Sequence, residues 1–376
     1  MKLRKAKISV LFVVGGLPYG GIENLLLDLL RYLDKSRFNC KVINLSGKGV
    51  LTERFLEQGV EVLNLGFHLS THRLDNTWRL RRLFVQLDPD VVFTSQFAGN
   101  HHARLAALGL EFKVITQVHN TKRERYWERR LSDRLLGRWI TDHFIAVSRG
   151  VQKSLKNAVP ASAVKTTLIY NAVGRDRLAL PPGYSQEEFR EREGVPTSSF
   201  LVTAVGRLVY QKGFDILLSA FQRVVAGAPD VFLLLAGDGE LFQQLDKLID
   251  TLSLRENVRL LGYRRDVSAL LSASDAFVLP SRWEGFSIVA LEAMALGVPT
   301  VLTESAPNSE VIHHGHTGWV VTCKPDAIAD GILSLYRDAE LRCKLAENEK
   351  ALFQSRFSAE SYARKVGDLI WQTARG

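Results

Sequence analysis

Apolar runs of strand length alternate with stretches of helical periodicity along almost the whole chain. ISVLFVV (8–14), CKVINL (40–45), DVVFTS (90–95), KVITQV (113–118), HFIAVS (143–148) and TTLIYN (166–171) each predict a strand. Between most of them lie segments such as IENLLLDLLRYL and TWRLRRLFVQL, whose apolar positions recur at helical spacing. Continuous apolar strands alternating with helices mean a parallel sheet covered on both faces. The Pro-, Gly- and charge-rich LALPPGYSQEEFREREGVPTSS (178–199) interrupts the pattern and predicts a linker, bounded here as 176–199. Alternation restarts with FLVTAVG (200–206), VFLLLAG (231–237), NVRLLG (257–262), DAFVLPS (275–281), TVLT (300–303) and GWVV (318–321), and the tail from about 325 to 374 is helical only. The expected architecture is α/β with two doubly wound domains, 1–175 and 200–357. The last helix, 358–376, is free to cross back to the first. Sheets of this kind bind ligands at the carboxyl ends of their strands, so the cleft between two such domains is the expected site.

The stretch SRWEGFSIVALEAMALGVP (281–299) reads as a turn and then a helix that is apolar almost all the way round. Such a helix is normally buried. Yet Glu284 stands at its mouth and Glu292 lies within it. A buried carboxylate needs a partner or a shifted pKa. Paired acid–base work on a glycosidic bond requires carboxyl groups roughly 5 to 9.5 Å apart, whereas eight residues of helix rise cover about 12 Å. The spacing therefore suits two ends of one elongated polar ligand. A helix dipole at Glu284 and an arginine partner for Glu292 account for the same pattern with no ligand at all.

Several other candidates follow predicted strands. In VGRLVYQKGFD (205–215), Arg207 and Lys212 precede a helix that begins near Gly213, and two cations at a helix N-terminus make an anion site. GGLPYGG (15–21) is neither a dinucleotide fingerprint nor a P-loop. Its glycines, Gly16 among them, permit either close approach of a ligand or simply a tight turn. AGDGEL (236–241) is ambiguous in the same way. His119, in TQVHNT, closes a strand at the binding edge. Asp88 and Asp90 imitate a metal-binding pair but precede a strand, at the amino edge. HH (101–102) and HHGH (313–316) fall in predicted loops without cysteine partners, so no metal site is read there. No Ser-His-Asp pattern or nucleophile elbow is present.

With 376 residues the chain exceeds one ordinary core, and 46% hydrophobic with 24% charged residues is the composition of a soluble globular protein. Three scattered cysteines, Cys40, Cys323 and Cys343, argue against a disulfide framework and fit a reducing cytosol. No apolar run approaches the roughly 18 residues of a transmembrane helix. The basic N-terminus leads straight into a glycine loop without a cleavage site, so it reads as a first strand rather than a signal peptide. Charge is unevenly spread. Residues 1–175 hold 28 Lys and Arg against 14 Asp and Glu, net +14, whereas residues 176–376 hold 21 against 26, net −5. A basic half suits nucleic acid, anionic lipid or a phosphorylated substrate.

GRLVYQKGFDILLSAF, LLLAGDGEL, LLGYRRDVSALLSASDAFVLPSRWEGFSIVALEAMALGVPTV and SEVIHHGHTGWVV together resemble the C-terminal domain of GT-B glycosyltransferases. More narrowly, they resemble the family-four group of retaining enzymes, whose hallmark is a Glu, seven residues, then a Glu: here Glu284 and Glu292. The first half resembles the family more weakly, through the glycine loop, LDPDVVFTSQ, VHN, IAVS and LIYNAV. The resemblance implies two Rossmann-like doubly wound domains facing across a cleft. It implies a retaining, metal-independent hexosyltransferase that needs no cofactor, with a nucleotide-diphosphate sugar as substrate and UDP the commonest nucleotide. Glu284 would hold sugar hydroxyls next to the diphosphate, and Glu292 would accept from the ribose hydroxyls. Backbone around Tyr263 and Arg264 would face the base, Arg207 and Lys212 would hold the diphosphate, and Phe286 and Ser287 would lie beside the donor. Gly16 and His119 would approach from the first domain. The leaving group is a diphosphate, so fixed cations must stabilise charge as it develops. There are two departures. Ala306 and Pro307, then Asn308, Ser309 and Glu310, stand where the family often has two glycines before its Glu, which leaves fewer free amides. The usual NGVD reads NAVG (171–174).

The acceptor side centres on NTKRERYWERRLSDRLLGRWI (120–140), with seven Lys and Arg against three Asp and Glu between 122 and 138. Trp127, Leu131, Leu135 and Trp139 fall on one helical stripe, and Arg123, Arg130, Arg134 and Arg138 lie largely on other faces. Either the stripe packs on the sheet and the charges are solvated, or the cations meet anionic lipid headgroups. The expectation is transfer to a glycan or lipid-linked acceptor in cell-surface polysaccharide or glycoconjugate synthesis, by a cytoplasmic protein peripheral at the inner face of the membrane. A nucleotide-sugar epimerase of the same fold and a non-catalytic nucleotide-sugar-binding protein are the alternatives. Nucleic acid is not an expected partner, because no recognised nucleic-acid fold surrounds the basic stretch.

Overall fold

The computed structural model describes residues 7–47, 49–67, 74–120, 127–159, 165–305 and 307–376, with the backbone alone at residues 74, 127–133 and 308. The chain divides into two compact units, residues 1–172 with 359–376, and residues 173–358.

The first unit runs β1 (Ile8–Val14), α1 (Gly21–Tyr32), β2 (Phe38–Asn44), α2 (Thr52–Glu57), β3 (Glu61–Asn64), α3 (Leu74–Leu87), β4 (Val91–Thr94), α4 (Phe97–Ala107), β5 (Lys113–Val118), α5 (Trp127–Ile140), β6 (His143–Ala146), α6 (Arg149–Ala158) and β7 (Lys165–Leu168). Its seven strands pair in the order β3-β2-β1-β4-β5-β6-β7, all parallel. β4, with every residue buried, and β1, nearly so, sit in the middle of the sheet, as their unbroken apolar runs require. Chain order reverses between β1 and β4, and in such sheets this switch point is where ligands bind. The two strands are locked there by Phe12 on Phe93 (ring centroids 5.1 Å apart) and by the close seating of α4 on the end of β1. A Cβ on Gly99 would lie 2.7 Å from the Val13 carbonyl oxygen, so only glycine fits that helix position. His101 and His102 lie in α4 and are buried, rather than in the predicted loop. The Asp90 carboxylate accepts from the Ser9 amide (2.8 Å) at the amino edge.

The second unit runs α7 (Gln186–Arg192), β8 (Phe200–Val205), α8 (Phe214–Gly227), β9 (Val231–Ala236), α9 (Phe242–Thr251), β10 (Val258–Gly262), α10 (Val267–Ser272), β11 (Ala276–Leu279), α11 (Ile288–Leu296), β12 (Thr300–Thr303), β13 (Trp319–Val321), α12 (Pro325–Arg337) and α13 (Ala339–Arg356). Its parallel sheet has the order β10-β9-β8-β11-β12-β13, with the switch point between β8 and β11. The helix that follows, α14 (Ala359–Arg375), belongs with the first unit: it packs on α1, and Gln117 of β5 donates to the Tyr362 hydroxyl (2.8 Å).

The segment expected to be a linker is instead built into the second unit. Arg190 is buried. It donates to the Ala273 carbonyl (2.9 Å) and pairs with Asp275 (2.8 Å), while the Tyr184 hydroxyl donates to the Ala269 carbonyl (3.1 Å). Charge and proline made the segment look solvated, but its charges are counter-ions for the end of α10. A second buried ionisable group, Glu349 of α13, accepts from the amide and hydroxyl of Thr300 (3.0 Å each). Burial pushes its carboxyl up to about 8, so it is neutral at pH 7.

Candidate active site

The carboxyl edge of the second sheet gathers most of the predicted residues. α11 starts only at Ile288, so Glu284 is not on it but in the loop after β11, and the helical rise between the two glutamates does not apply. That loop is held by its neighbours: the Thr303 and Ser305 hydroxyls both donate to the Ser281 carbonyl (2.6 and 2.7 Å). Gly213, the N-cap of α8, has φ 69°, and a Cβ there would stand 2.2 Å from the Pro280 oxygen. Glycine thus brings the 3-10 turn Tyr210–Lys212 against the β11 loop. Arg282 completes the junction. It forks onto Asp215 of α8 (2.8 and 2.6 Å) and covers the Tyr210 ring at 3.9 Å, and Gln211 donates to the Trp283 carbonyl (3.0 Å).

Two ion pairs then face the edge. The Lys212 ammonium pairs with the Glu284 carboxylate, which also accepts from the Ser281 hydroxyl (3.1 Å). Glu292, buried in α11, pairs with Arg177 from the 3-10 turn Arg175–Leu178. Both pairs are largely buried, and each carboxylate has a cation beside it. Nη1 of Arg177 is buried with no hydrogen-bond partner among the described residues, a charged donor left over after Glu292 is served. Arg207, after β8, is exposed and makes no ion pair among the described residues. Tyr263, after β10, is half exposed, whereas the Arg264 guanidinium is fully engaged by Glu193 (3.0 and 2.9 Å) and Asp266 (2.8 and 2.6 Å). At that position only backbone is left for a base. Phe286 is buried against Phe357 (centroids 5.7 Å), so its ring belongs to the core, and Ser287 is the N-cap of α11.

At the first unit's carboxyl edge, Nε2 of His119 lies 3.0 Å from the Ser95 hydroxyl, and its buried Nδ1 has no partner among the described residues. Burial holds the ring's pKa down at about 4, so the imidazole is neutral at pH 7 and offers one nitrogen as donor and the other as acceptor. The amides of Gly15 and Gly16 both donate to Oε1 of Gln96 (2.9 and 3.2 Å), and Nε2 of Gln96 donates to Glu23. The first two amides of the glycine loop are thus taken up by a side chain. Among the other histidines, His314 accepts from the Val320 amide (3.1 Å) against the Trp319 ring. Ala306 lies outside the described residues, and Pro307–Glu310 form a 3-10 turn.

Sequence reasoning missed Arg177, Ser95, Gln96 and Gln211. Ser95 closes a predicted strand and Gln96 directly follows it, the same strand-end signal that singled out His119. Nothing in the sequence pattern set Arg177 apart from the charges around it.

The profile for Glycosyl transferases group 1 matches residues 185–352, and that for Glycosyltransferase Family 4 matches residues 19–177. The chain belongs to the group 1, family four glycosyltransferases. It is 25% identical over 389 aligned positions to a UDP-Gal:alpha-D-GlcNAc-diphosphoundecaprenol alpha-1,3-galactosyltransferase of Escherichia coli, covering 98% of each chain. It is 30% identical over 226 positions to an uncharacterized glycosyltransferase of Methanocaldococcus jannaschii, covering 59% of this chain and 58% of the relative's length. Among solved structures, Anabaena HepE in complex with UDP-glucose superposes with a TM-score of 0.85 at 22% identity, over 97% of this chain and all of that one. WaaG, a glycosyltransferase involved in lipopolysaccharide biosynthesis, superposes with a TM-score of 0.77 at 17% identity, covering 96% and 99%. At these identities the structures establish the fold, GT-B, in which each unit is a doubly wound parallel sheet.

Proposed function

We propose that the protein transfers a sugar from a UDP-sugar, with retention of anomeric configuration and without a metal, to a glycan or lipid-linked acceptor in cell-surface polysaccharide or glycoconjugate synthesis. The observation that carries this reading is the Lys212–Glu284 pair, held beside the start of α8 by the Arg282–Asp215 and Gln211–Trp283 contacts. A diphosphate settling at that helix start meets Lys212 and Arg207. Glu284, relieved of its counter-ion, turns to the sugar hydroxyls. Glu292 takes the ribose, and backbone at Tyr263 and Arg264 takes the base. In a front-face course the acceptor oxygen bonds to C1 on the side the diphosphate leaves and gives its proton to the departing phosphate oxygen. A panel of nucleotide sugars tests this. UDP and one UDP-sugar are expected to raise the melting temperature, by about 2.7 kcal/mol of stability at a hundredfold excess over Kd. That UDP-sugar should release UDP equally well in a chelator. Failure of every nucleotide sugar to stabilise the protein or to release its nucleotide overturns the reading.

The acceptor reading extends to a membrane. No helix among the described residues is long and apolar enough to span one. Instead, α4 lies between α3 and α5, and Trp78 (65% exposed) and Val85 (62%) on α3, with Leu135 (50%) and Trp139 (73%) on α5, are turned to solvent. Arg134 and Arg138 are exposed beside them, and Arg138 covers the Trp139 ring at 5.1 Å. Exposed indoles beside cations, in the half with net +14, complement an anionic lipid surface, each basic residue contributing on the order of 1 kcal/mol. We therefore expect peripheral binding of a cytoplasmic protein to the inner leaflet. Vesicles containing anionic lipid should retain it at low salt and release it at high salt, neutral vesicles should retain little, and Trp139→Ala should weaken retention. No retention on anionic vesicles at low salt sinks this part and leaves a soluble acceptor.

A further inference from the structure

Gln96 has φ 63° and ψ 160°, a backbone region that is essentially reserved for glycine. It stands at the switch point of the first sheet, between the end of β4 and the start of α4 and beside the end of β1. A glycine would occupy this position without strain. The chain keeps a side chain there instead, and that side chain makes three hydrogen bonds. Oε1 accepts from the Gly15 and Gly16 amides (2.9 and 3.2 Å), and Nε2 donates to Glu23 in the first turn of α1. The residue before it, Ser95, bonds His119 (3.0 Å). One strained residue and the serine before it therefore tie both first-unit candidates, the glycine loop and the imidazole, to the same turn. Strain of this kind persists only where the surroundings over-determine it, and it clusters at sites whose geometry matters.

We propose that Gln96 is a positioning residue for sugar transfer. It holds the Gly15–Gly16 loop and the start of α1 in the arrangement the reaction needs, through its amide rather than through contact with substrate. The proposal rests on the transferase reading given above, and its own content is the separation of stability, nucleotide binding and turnover.

The test uses the whole chain, UDP, and whichever UDP-sugar the wild type hydrolyses. Gln96→Gly removes the three hydrogen bonds and relieves the backbone. Its melting temperature should be unchanged or raised and its UDP affinity should stay within about twofold, because the nucleotide residues lie in the other unit. UDP release should fall by about tenfold or more, since small misplacements at a reacting centre have effects of up to about a hundredfold. Gln96→Glu sets two carboxylates against each other and should also lose turnover. Adding Glu23→Gln to it recreates the three hydrogen bonds of position 96 with the roles exchanged, and should bring turnover back to within about threefold of wild type. A merely structural glutamine predicts otherwise: Gln96→Gly would melt lower and lose UDP affinity along with activity, and that result overturns the proposal. So does Gln96→Gly with turnover within twofold of wild type, and so does a double variant no more active than Gln96→Glu alone. A wild type that releases UDP from no nucleotide sugar is a different result: it removes the transferase reading itself, and this proposal with it.

Discussion

Lys212→Ala should lower sugar-transfer turnover at saturating donor by about 10²- to 10³-fold, the loss expected when one fixed donor to a developing negative charge is removed. The ammonium stands one residue before the glycine N-cap of α8, where helix dipole and side chain act on the same anion. In the protein as it stands, that ammonium neutralises Glu284. Two effects therefore combine in the variant. The diphosphate loses a cation, and a largely buried carboxylate loses its partner, which by itself destabilises by about 3–5 kcal/mol. Glu284→Gln added to Lys212→Ala removes the second effect and should restore stability while leaving turnover low. Arg207→Ala is the cleaner companion. Its side chain is exposed and makes no ion pair among the described residues, so stability should stay within about 0.5 kcal/mol while turnover falls. If both single variants kept near-normal turnover with donor saturating, the diphosphate would not lie at this helix.

Much of this site was legible because it is made of local signals. Strand runs and glycine turns announced which loops lie at the carboxyl edge of each sheet, and the strand-end rule singled out His119 in the first unit and Arg207 and Lys212 in the second. What escaped was whatever depends on a partner distant in sequence. Arg177 gains its meaning from Glu292, more than a hundred positions on, and the charges of the supposed linker gain theirs from Glu193 with Arg264 and from Arg190 with Asp275. Gln96 betrays itself only through a backbone angle. The helix α5 shows a different failure. Of its apolar stripe Trp127, Leu131, Leu135 and Trp139, the last two are exposed rather than packed on the sheet, and the inward side is carried by Leu136, Gly137 and Ile140. A Cβ on Gly137 would come within 3.2 Å of the Phe144 ring, so the helix seats on the sheet through a glycine. Periodicity of large apolar residues gives a glycine no weight.

Glu292 and Arg177 should separate folding from nucleotide binding. Arg177→Ala takes from Glu292, buried in α11, the guanidinium that pairs with it, a loss of about 3–5 kcal/mol. At the 2–4 °C per kcal/mol typical of a domain this size, the unit's melting temperature should drop on the order of 10 °C. Glu292→Ala strands the guanidinium instead and should be similarly unstable. The pair Arg177→Met with Glu292→Gln removes both charges at nearly constant volume, and replacing a buried ion pair in that way is often neutral or stabilising. Ribose binding makes the opposite demand. Hydrogen bonds to a charged group are each worth about 1.5–3 kcal/mol, so loss of the carboxylate should weaken free UDP by roughly 10- to 150-fold. The double variant should therefore fold like the wild type and still bind UDP poorly. Glu284→Ala, on another loop with another counter-ion, should hit transfer harder than UDP affinity. Calorimetric titration of UDP into these variants decides the matter. Equal losses of UDP affinity in Glu284→Ala and Glu292→Ala would dissolve the division of labour between the two glutamates. Full UDP affinity in the charge-free double variant would reduce Arg177–Glu292 to a brace for α11, with the ribose held elsewhere.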